Sequence, residues 1–323
     1  MIFYFFEKYP NIMMAAGIVF SFVITILFLH FLRDKLPADS GRDFAVEGAL
    51  SKGKPQGAGV FFVSIFAVAT VLFAPFNTEH IIYLVMILAE MMTGYLDDAS
   101  SKPWGRVKKG ILDLAIAFII AFTYVHYNGS LFRIGFLHFS IEIPVVAFML
   151  IIIALVWTMI NVTNCADGVD GLSGTLAIIS ILSFFVADIG RDKFYQFNYF
   201  LIFFVATVLA YLLFNAGPSI LLMGDAGSRA MGLFISLVAL KSGYVLLIIP
   251  FALLLIIDGG LGLFKVTIIK ITKNKKFMSA IRTPIHDHVR KNIKTPWSNN
   301  QVVMRFAIIQ VIISVVVLYV FVR

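Results

Sequence analysis

Asn11-Ile-Met-Met-Ala-Ala-Gly-Ile-Val-Phe-Ser-Phe-Val-Ile-Thr-Ile-Leu-Phe-Leu-His-Phe-Leu32 carries no charged side chain from end to end. A hydrocarbon core about 30 Å thick is crossed by about 20 such residues in helical form. The stretch therefore reads as a membrane-spanning helix. It shows no small-residue cleavage pattern, so it is expected to be retained rather than removed as a signal peptide. Outward from it, apolar runs recur near 57–76, 79–95, 110–127, 142–161, 171–188, 196–214, 227–241, 243–265 and 303–322. The pattern predicts an all-α, polytopic integral membrane protein of about ten transmembrane helices. Residues 1–323 are expected to form a single transmembrane domain.

Composition agrees. Of the 323 residues, 60% are hydrophobic and 14% charged, against about 25% charged in soluble domains. A single Cys excludes a disulfide framework and a Cys-rich metal centre. The net charge of +8 is explained by basic cytoplasmic loops rather than by nucleic acid, so no nucleic-acid partner is expected. Most of the 26 Lys and Arg fall in one alternate set of gaps: Arg33, Lys35, Arg42, Lys52 and Lys54; Lys102, Arg106, Lys108 and Lys109; Arg229; and the run from Lys265 to Arg305. The other set, with the termini, holds Lys8, Arg133, Arg191, Lys193, Lys241 and Arg323. The first set is expected to be cytoplasmic and both termini outside. Most acidic residues share the cytoplasmic side, so chemistry is expected there.

Four constellations stand out. Gly94-Tyr-Leu-Asp97-Asp98 puts adjacent carboxylates at a membrane surface, where they repel unless a cation or proton sits between them; a helix end solvated by headgroups is the alternative. In Asn161-Val-Thr-Asn164-Cys-Ala-Asp167-Gly168-Val-Asp170-Gly171-Leu-Ser-Gly174, oxygen-bearing residues and glycines each repeat every third position. Oxygen ligands suit Mg²⁺, and Gly admits a substrate close to the backbone. In Met223-Gly224-Asp225-Ala-Gly227-Ser228, Asp225 could be a helix N-cap or a metal ligand whose phosphate partner faces the helix N-terminus. Last comes Thr283-Pro284-Ile-His286-Asp287-His288-Val-Arg290-Lys291. Its two His share a side of an extended chain but lie on opposite sides of a helix, and it suits a headgroup anchor or a diphosphate. Within the spans, Asp258 and Glu90 each need a partner or a cavity, and Gly259-Gly260 is a point where the ninth span can bend or break.

These loops, in this order, resemble the polyprenyl-phosphate N-acetylhexosamine-1-phosphate transferase superfamily, glycosyltransferase family 4. Asp97-Asp98, Asn164-Cys-Ala-Asp167-Gly-Val-Asp170-Gly-Leu and Met223-Gly224-Asp225-Ala-Gly227-Ser228 look like its three acidic signatures. Lys52-Gly53-Lys54-Pro55-Gln-Gly57-Ala-Gly59 and Thr283-Pro284-Ile285-His286-Asp287-His288, with Trp297-Ser298 and Val302-Val303-Met-Arg305-Phe306, look most like the phospho-N-acetylmuramoyl-pentapeptide transferases of peptidoglycan synthesis. The departures are Asp287 in place of the middle His of a His triplet, Leu222 in place of an aromatic that stacks on uracil, Lys-Pro-Gln-Gly in the first loop, and Ala-Ser-Ser-Lys102 after the acid pair. The resemblance implies ten membrane helices with both termini outside. It implies transfer of a phospho-N-acetylamino-sugar from its UDP derivative to undecaprenyl phosphate, with UMP leaving, in the lipid-linked step of cell-wall synthesis at the bacterial inner membrane. The cofactor would be Mg²⁺. Asp225 is expected to be the best metal ligand, with Asn164 or Asp97 second. Asp97 or Asp98 could take a proton from the lipid phosphate, and Asp97 is favoured. By resemblance Lys52, Asp170 and Asn215 belong to a uridine pocket beside Asp167, His286 and His288 approach the diphosphate, and Lys108 the lipid phosphate. Membrane lipids are partners, and a homodimer is left open. A UDP-N-acetylglucosamine 1-phosphate transferase for another surface polymer is the near alternative. A transporter is the distant one, and the concentration of polar residues in loops rather than at the midplane argues against it.

Overall fold

The computed structural model describes residues 1–41, 51–100, 102, 104–134, 139–189 and 196–321. Arg42, Arg191, Lys193 and Arg323 of the basic count, and Ser101 of the loop after the acid pair, lie outside the described residues. The chain is predominantly helical. A helical turn at Ile2–Phe5 precedes α1 (Pro10–Leu32), α2 (Gly59–Phe73), α3 (Thr78–Asp98) and α4 (Arg106–Asn128). Then come α5 (Val145–Ala166), α6 (Leu172–Asp188), α7 (Phe197–Asn215) and α8 (Gly224–Lys241). A broken segment starting at Val245 leads into α9 (Leu261–Thr272), followed by α10 (Ile285–Lys291) and α11 (Asn299–Phe321).

Each of the ten expected intervals carries a helix. Among the described residues, six helices are long and apolar enough to cross a membrane, or seven if the bent pair is one span. Helices α2 and α6 are shorter, and α8 carries Asp225, Arg229 and Lys241 within its length. The all-α expectation needs one correction. β1 (Leu131–Ile134) and β2 (Phe139–Glu142) pair antiparallel, Leu131 opposite Glu142. Only β2, Phe-Ser-Ile-Glu, alternates apolar with polar residues.

The ninth span bends by 71° between Val245–Phe251 and Leu253–Thr272. The bend falls at Ala252, ahead of the Gly259-Gly260 pair, which instead lies in a single π-helical turn, Ile256–Gly260. Bending frees backbone groups that the bundle interior must satisfy. Gln310 of α11 does so, accepting from Leu254 N at 2.9 Å and donating to Pro250 O at 2.9 Å.

Helix α8 is buried along nearly its whole length and packs on α3 and α5. Its single aromatic residue, Phe234, stacks on Phe204 at 4.1 Å between ring centres. The central helix thus fixes which neighbours meet at its N-terminal end, where Asp225 stands.

Candidate functional site

Two sites of the sequence reading are one place in the fold. Asp97 and Asp98 close the C-terminal end of α3, and Asp225 opens α8 beside them. Gly224 permits the approach. It has φ +67°, and a β-carbon there would strike Asp98 Oδ2 and lie 2.9 Å from Gly57 N; only Gly takes both without cost. Ala226 N faces Asp98 Oδ2 at 3.4 Å, and Gln56 Nε2 donates to Asp98 Oδ1 at 2.8 Å. Asp97 is buried, accepts from Trp104 N at 2.6 Å and pairs with the Lys109 ammonium. The same Lys109 Nζ lies 2.9 Å from Asp225 Oδ2, while Asn164 Nδ2 donates to Asp225 Oδ1 at 2.8 Å and to Ser228 Oγ at 3.0 Å. Four helices, α3, α4, α5 and α8, therefore deliver three carboxylates, one ammonium and one amide to a single corner. Among the described residues no three His, Cys, Asp or Glu form a ready-made ligand set, and Lys109 stands between Asp97 and Asp225.

A cavity of about 670 Å³ opens beside this corner, within the range of small-molecule sites. Its wall includes Asp167, Asp170, Asn215, Lys54, Leu222 and Trp297. It reaches the acid corner at Gln56 and Gly224, both in contact with Asp98. Asp170 Oδ2 accepts from Ser219 N at 3.0 Å and lies 3.8 Å from Lys54 Nζ, which donates to Ser219 Oγ at 3.0 Å. Asp167 accepts from Ser173 Oγ at 2.7 Å. Asn215 is buried and ties two loops: it accepts from Gly171 N at 2.8 Å and donates to Leu221 O at 2.9 Å. Its side chain shapes the cavity wall.

Two lysines differ from the sequence expectation by small steps along the chain. Lys52 is exposed and does not line the cavity, where Lys54 does. Lys108 is exposed, its ammonium 3.2 Å from the centre of the Trp104 ring, while Lys109 enters the corner. Helical periodicity carries the signal that separates them. Lys109 is four residues before buried Asp113 on α4, so it shares that residue's face, and Lys108 points about 100° away.

The histidines also part. On α10 they lie on opposite sides, as helical geometry demands. His286 is buried, its Nδ1 2.7 Å from Asp258 Oδ2 and its backbone N 2.7 Å from Asp258 Oδ1. Its Nε2 faces Gly168, where a β-carbon would collide with it. Asp258, whose partner the sequence left open, thus holds His286 against the Asp167–Asp170 loop. His288 turns away; its Nδ1 accepts from Arg282 N at 3.2 Å. Asp287 pairs with Arg290 at 3.3 Å.

The model of the family described as glycosyl transferase family 4 matches residues 80–243. The chain is 35% identical to the phospho-N-acetylmuramoyl-pentapeptide-transferase of Treponema pallidum (strain Nichols), over 94% of this chain and 87% of that protein. It is 28% identical to the protein of the same name from Clostridium botulinum (strain Eklund 17B / Type B), over 95% of each. It is 26% identical to that of Bacillus velezensis, over 94% of this chain and 95% of that one.

Proposed function

The chain belongs to glycosyl transferase family 4, and from that premise we propose that it transfers phospho-N-acetylmuramoyl-pentapeptide from its UDP derivative to undecaprenyl phosphate, releasing UMP. The observation that carries the reading is the acid corner opening onto a nucleotide-sized cavity, on a chain whose relatives bear that name over most of its length. In this reading ten helices span a bacterial cell membrane, the termini lie outside, and the corner faces the cytoplasm with the basic loops.

Both reactants are anions, so charge is the main barrier. The donor set fits a hard divalent ion, with carboxylate and amide oxygens and no thiol. Asp225 and Asn164 would hold Mg²⁺, with Asp97 nearby, and the bound ion would supply positive charge to the diphosphate. Lys109 answers the same charge from the protein and keeps Asp97 and Asp225 close together. Asp97 is engaged by an ammonium and a backbone N–H. Asp98 lies behind Gln56 and Gly224 of the cavity wall and has a single strong hydrogen-bond donor, so we assign it, rather than Asp97, the proton of the lipid phosphate. The lipid phosphate oxygen bonds to the sugar-bearing phosphorus. The bond from that phosphorus to the bridging oxygen breaks, and UMP takes the electron pair. His286, fixed by Asp258, faces the Asp167–Asp170 loop across which the diphosphate would lie. Lys54, Asp170 and Ser219 offer polar contacts to the uridine, with Leu222 against the base.

The test is UMP release by purified protein given undecaprenyl phosphate, Mg²⁺ and a panel of UDP-sugars. Turnover with UDP-N-acetylmuramoyl-pentapeptide is expected. Consumption of UDP-N-acetylglucosamine alone would move the assignment to another surface polymer, and no UMP from any donor would defeat the enzymatic reading.

A further inference from the structure

Below the acid corner lies a second set of charges, deep in the bundle. Arg229, Glu90 and Asp113 are each at most 2% exposed. Arg229 Nε lies 3.0 Å from Glu90 Oε1, and Nη2 bonds Asp113 Oδ1. Asn161 Nδ2 reaches the other Asp113 oxygen at 3.2 Å. Arg229 is therefore an intramembrane cation rather than the loop charge its position in the sequence suggested, and it is the partner that Glu90 lacked.

These residues stand in register with the corner above them. Side chains on a helix turn by about 100° per residue. Arg229 follows Asp225 by four residues and Asp113 follows Lys109 by four, each about 40° from facing the same way. Glu90 precedes Asp97 by seven, about 20° off, and Asn161 precedes Asn164 by three, about 60° off. Helices α3, α4, α5 and α8 thus each contribute to the corner, α3 with two residues and the others with one, and each gives one residue to the layer beneath.

We propose that the fork of Arg229 between Glu90 and Asp113 is a positioning device: it fixes the rotation of α8 against α3 and α4, and so aims Asp225, Asp97 and Lys109 at one another. The planar guanidinium hydrogen-bonds Asp113 and holds Glu90 in an ion pair at 3.0 Å, an arrangement that the point charge of a lysine does not reproduce. Stability alone does not call for such a cluster, since buried ion triads are commonly replaced by apolar residues at no cost. Accuracy at a reacting centre does call for it, because a misplacement of about 1 Å costs about a hundredfold in rate. The activity readout rests on the reading of the preceding subsection; the positioning itself does not.

The test compares the wild type with Arg229→Lys and with the triple variant Arg229→Met, Glu90→Leu, Asp113→Leu. Three quantities are measured in detergent: the melting temperature, kcat and KM for UMP release, and Mn²⁺ binding from the electron paramagnetic resonance of the free ion. Both variants are expected to lose about tenfold or more in kcat, to bind Mn²⁺ several-fold more weakly, and to keep KM for the UDP-sugar within about twofold. The triple variant is expected to melt no lower than the wild type. A triple variant with normal kcat and Mn²⁺ affinity would show that the layer only balances buried charge, and would overturn the proposal. If the triple variant does not fold, Arg229→Lys decides alone: a lowered melting temperature with unchanged kcat and Mn²⁺ affinity sinks the idea. Should the wild type release no UMP, the catalytic reading fails while Mn²⁺ binding still tests the positioning.

Discussion

Asp225 is the residue on which the corner depends. It meets Lys109 at 2.9 Å and Asn164 at 2.8 Å at the first turn of α8. Replacing its charge with an amide removes the proposed metal ligand and one of the two carboxylates that Lys109 pairs with. Asp225→Asn should insert and melt like the wild type yet lose turnover by a factor of 100 or more, about 3 kcal/mol of charge stabilisation at the transition state. Near-normal UMP release after EDTA treatment and Mg²⁺ restoration would refute the role. Asp97 and Asp98 should separate kinetically. Asp97→Asn, by leaving Lys109 to Asp225 alone, should raise the half-saturating Mg²⁺ concentration, whereas Asp98→Asn should mainly lower kcat. Equal defects in both quantities would remove the distinction. Leu222 lines the cavity with its backbone pinned, its N–H donating to Pro55 O at 2.8 Å. A ring there adds stacking worth about 0.5–1.5 kcal/mol, present equally in ground and transition states. Leu222→Phe should therefore lower KM for the UDP-sugar several-fold with kcat unchanged. A raised KM would mean that position 222 does not face the base.

At the scale of elements, the bent ninth span does two things. Its π-turn carries Asp258 to His286, and its break is repaired from outside by Gln310. Gln310→Leu would leave Leu254 N–H and Pro250 C=O unsatisfied in the interior, at about 1–3 kcal/mol for each group. The variant should melt several degrees lower in detergent and lose activity in step with unfolding; an unchanged melting temperature would show that the backbone groups find other partners. The α3–α8 crossing is equally exacting. Gly94 lies so close to α8 that a β-carbon would strike the Asp225 backbone, so the two helices meet at the point where their acids must converge.

For the whole molecule, the basic loops and the acid corner are assigned to one side of the membrane and the hairpin of β1 and β2 to the other. In a Cys165→Ser background, Lys273→Cys and Ser140→Cys, both at exposed positions, should react with an impermeant thiol reagent from opposite faces of sealed vesicles. Reaction of both from the same face would reverse the topology. The helical intervals were legible in the sequence because lipid imposes a single, local rule: every crossing segment must be apolar and satisfy its own backbone. The acids were legible for the related reason that a carboxylate near hydrocarbon is costly and so stands out against its neighbours. Lys109 beside Lys108, Lys54 beside Lys52, and the partners of Asp258, Glu90 and Arg229 were not. Each depends on which faces of distant helices meet, and helix crossing is set by packing between segments far apart in the chain. The sequence by itself determined the helical intervals and the segments at their ends that carry the acids. Only the tertiary structure decided which charges face each other, because the energy of a buried charge depends on its partner's position in space, and no local pattern specifies that.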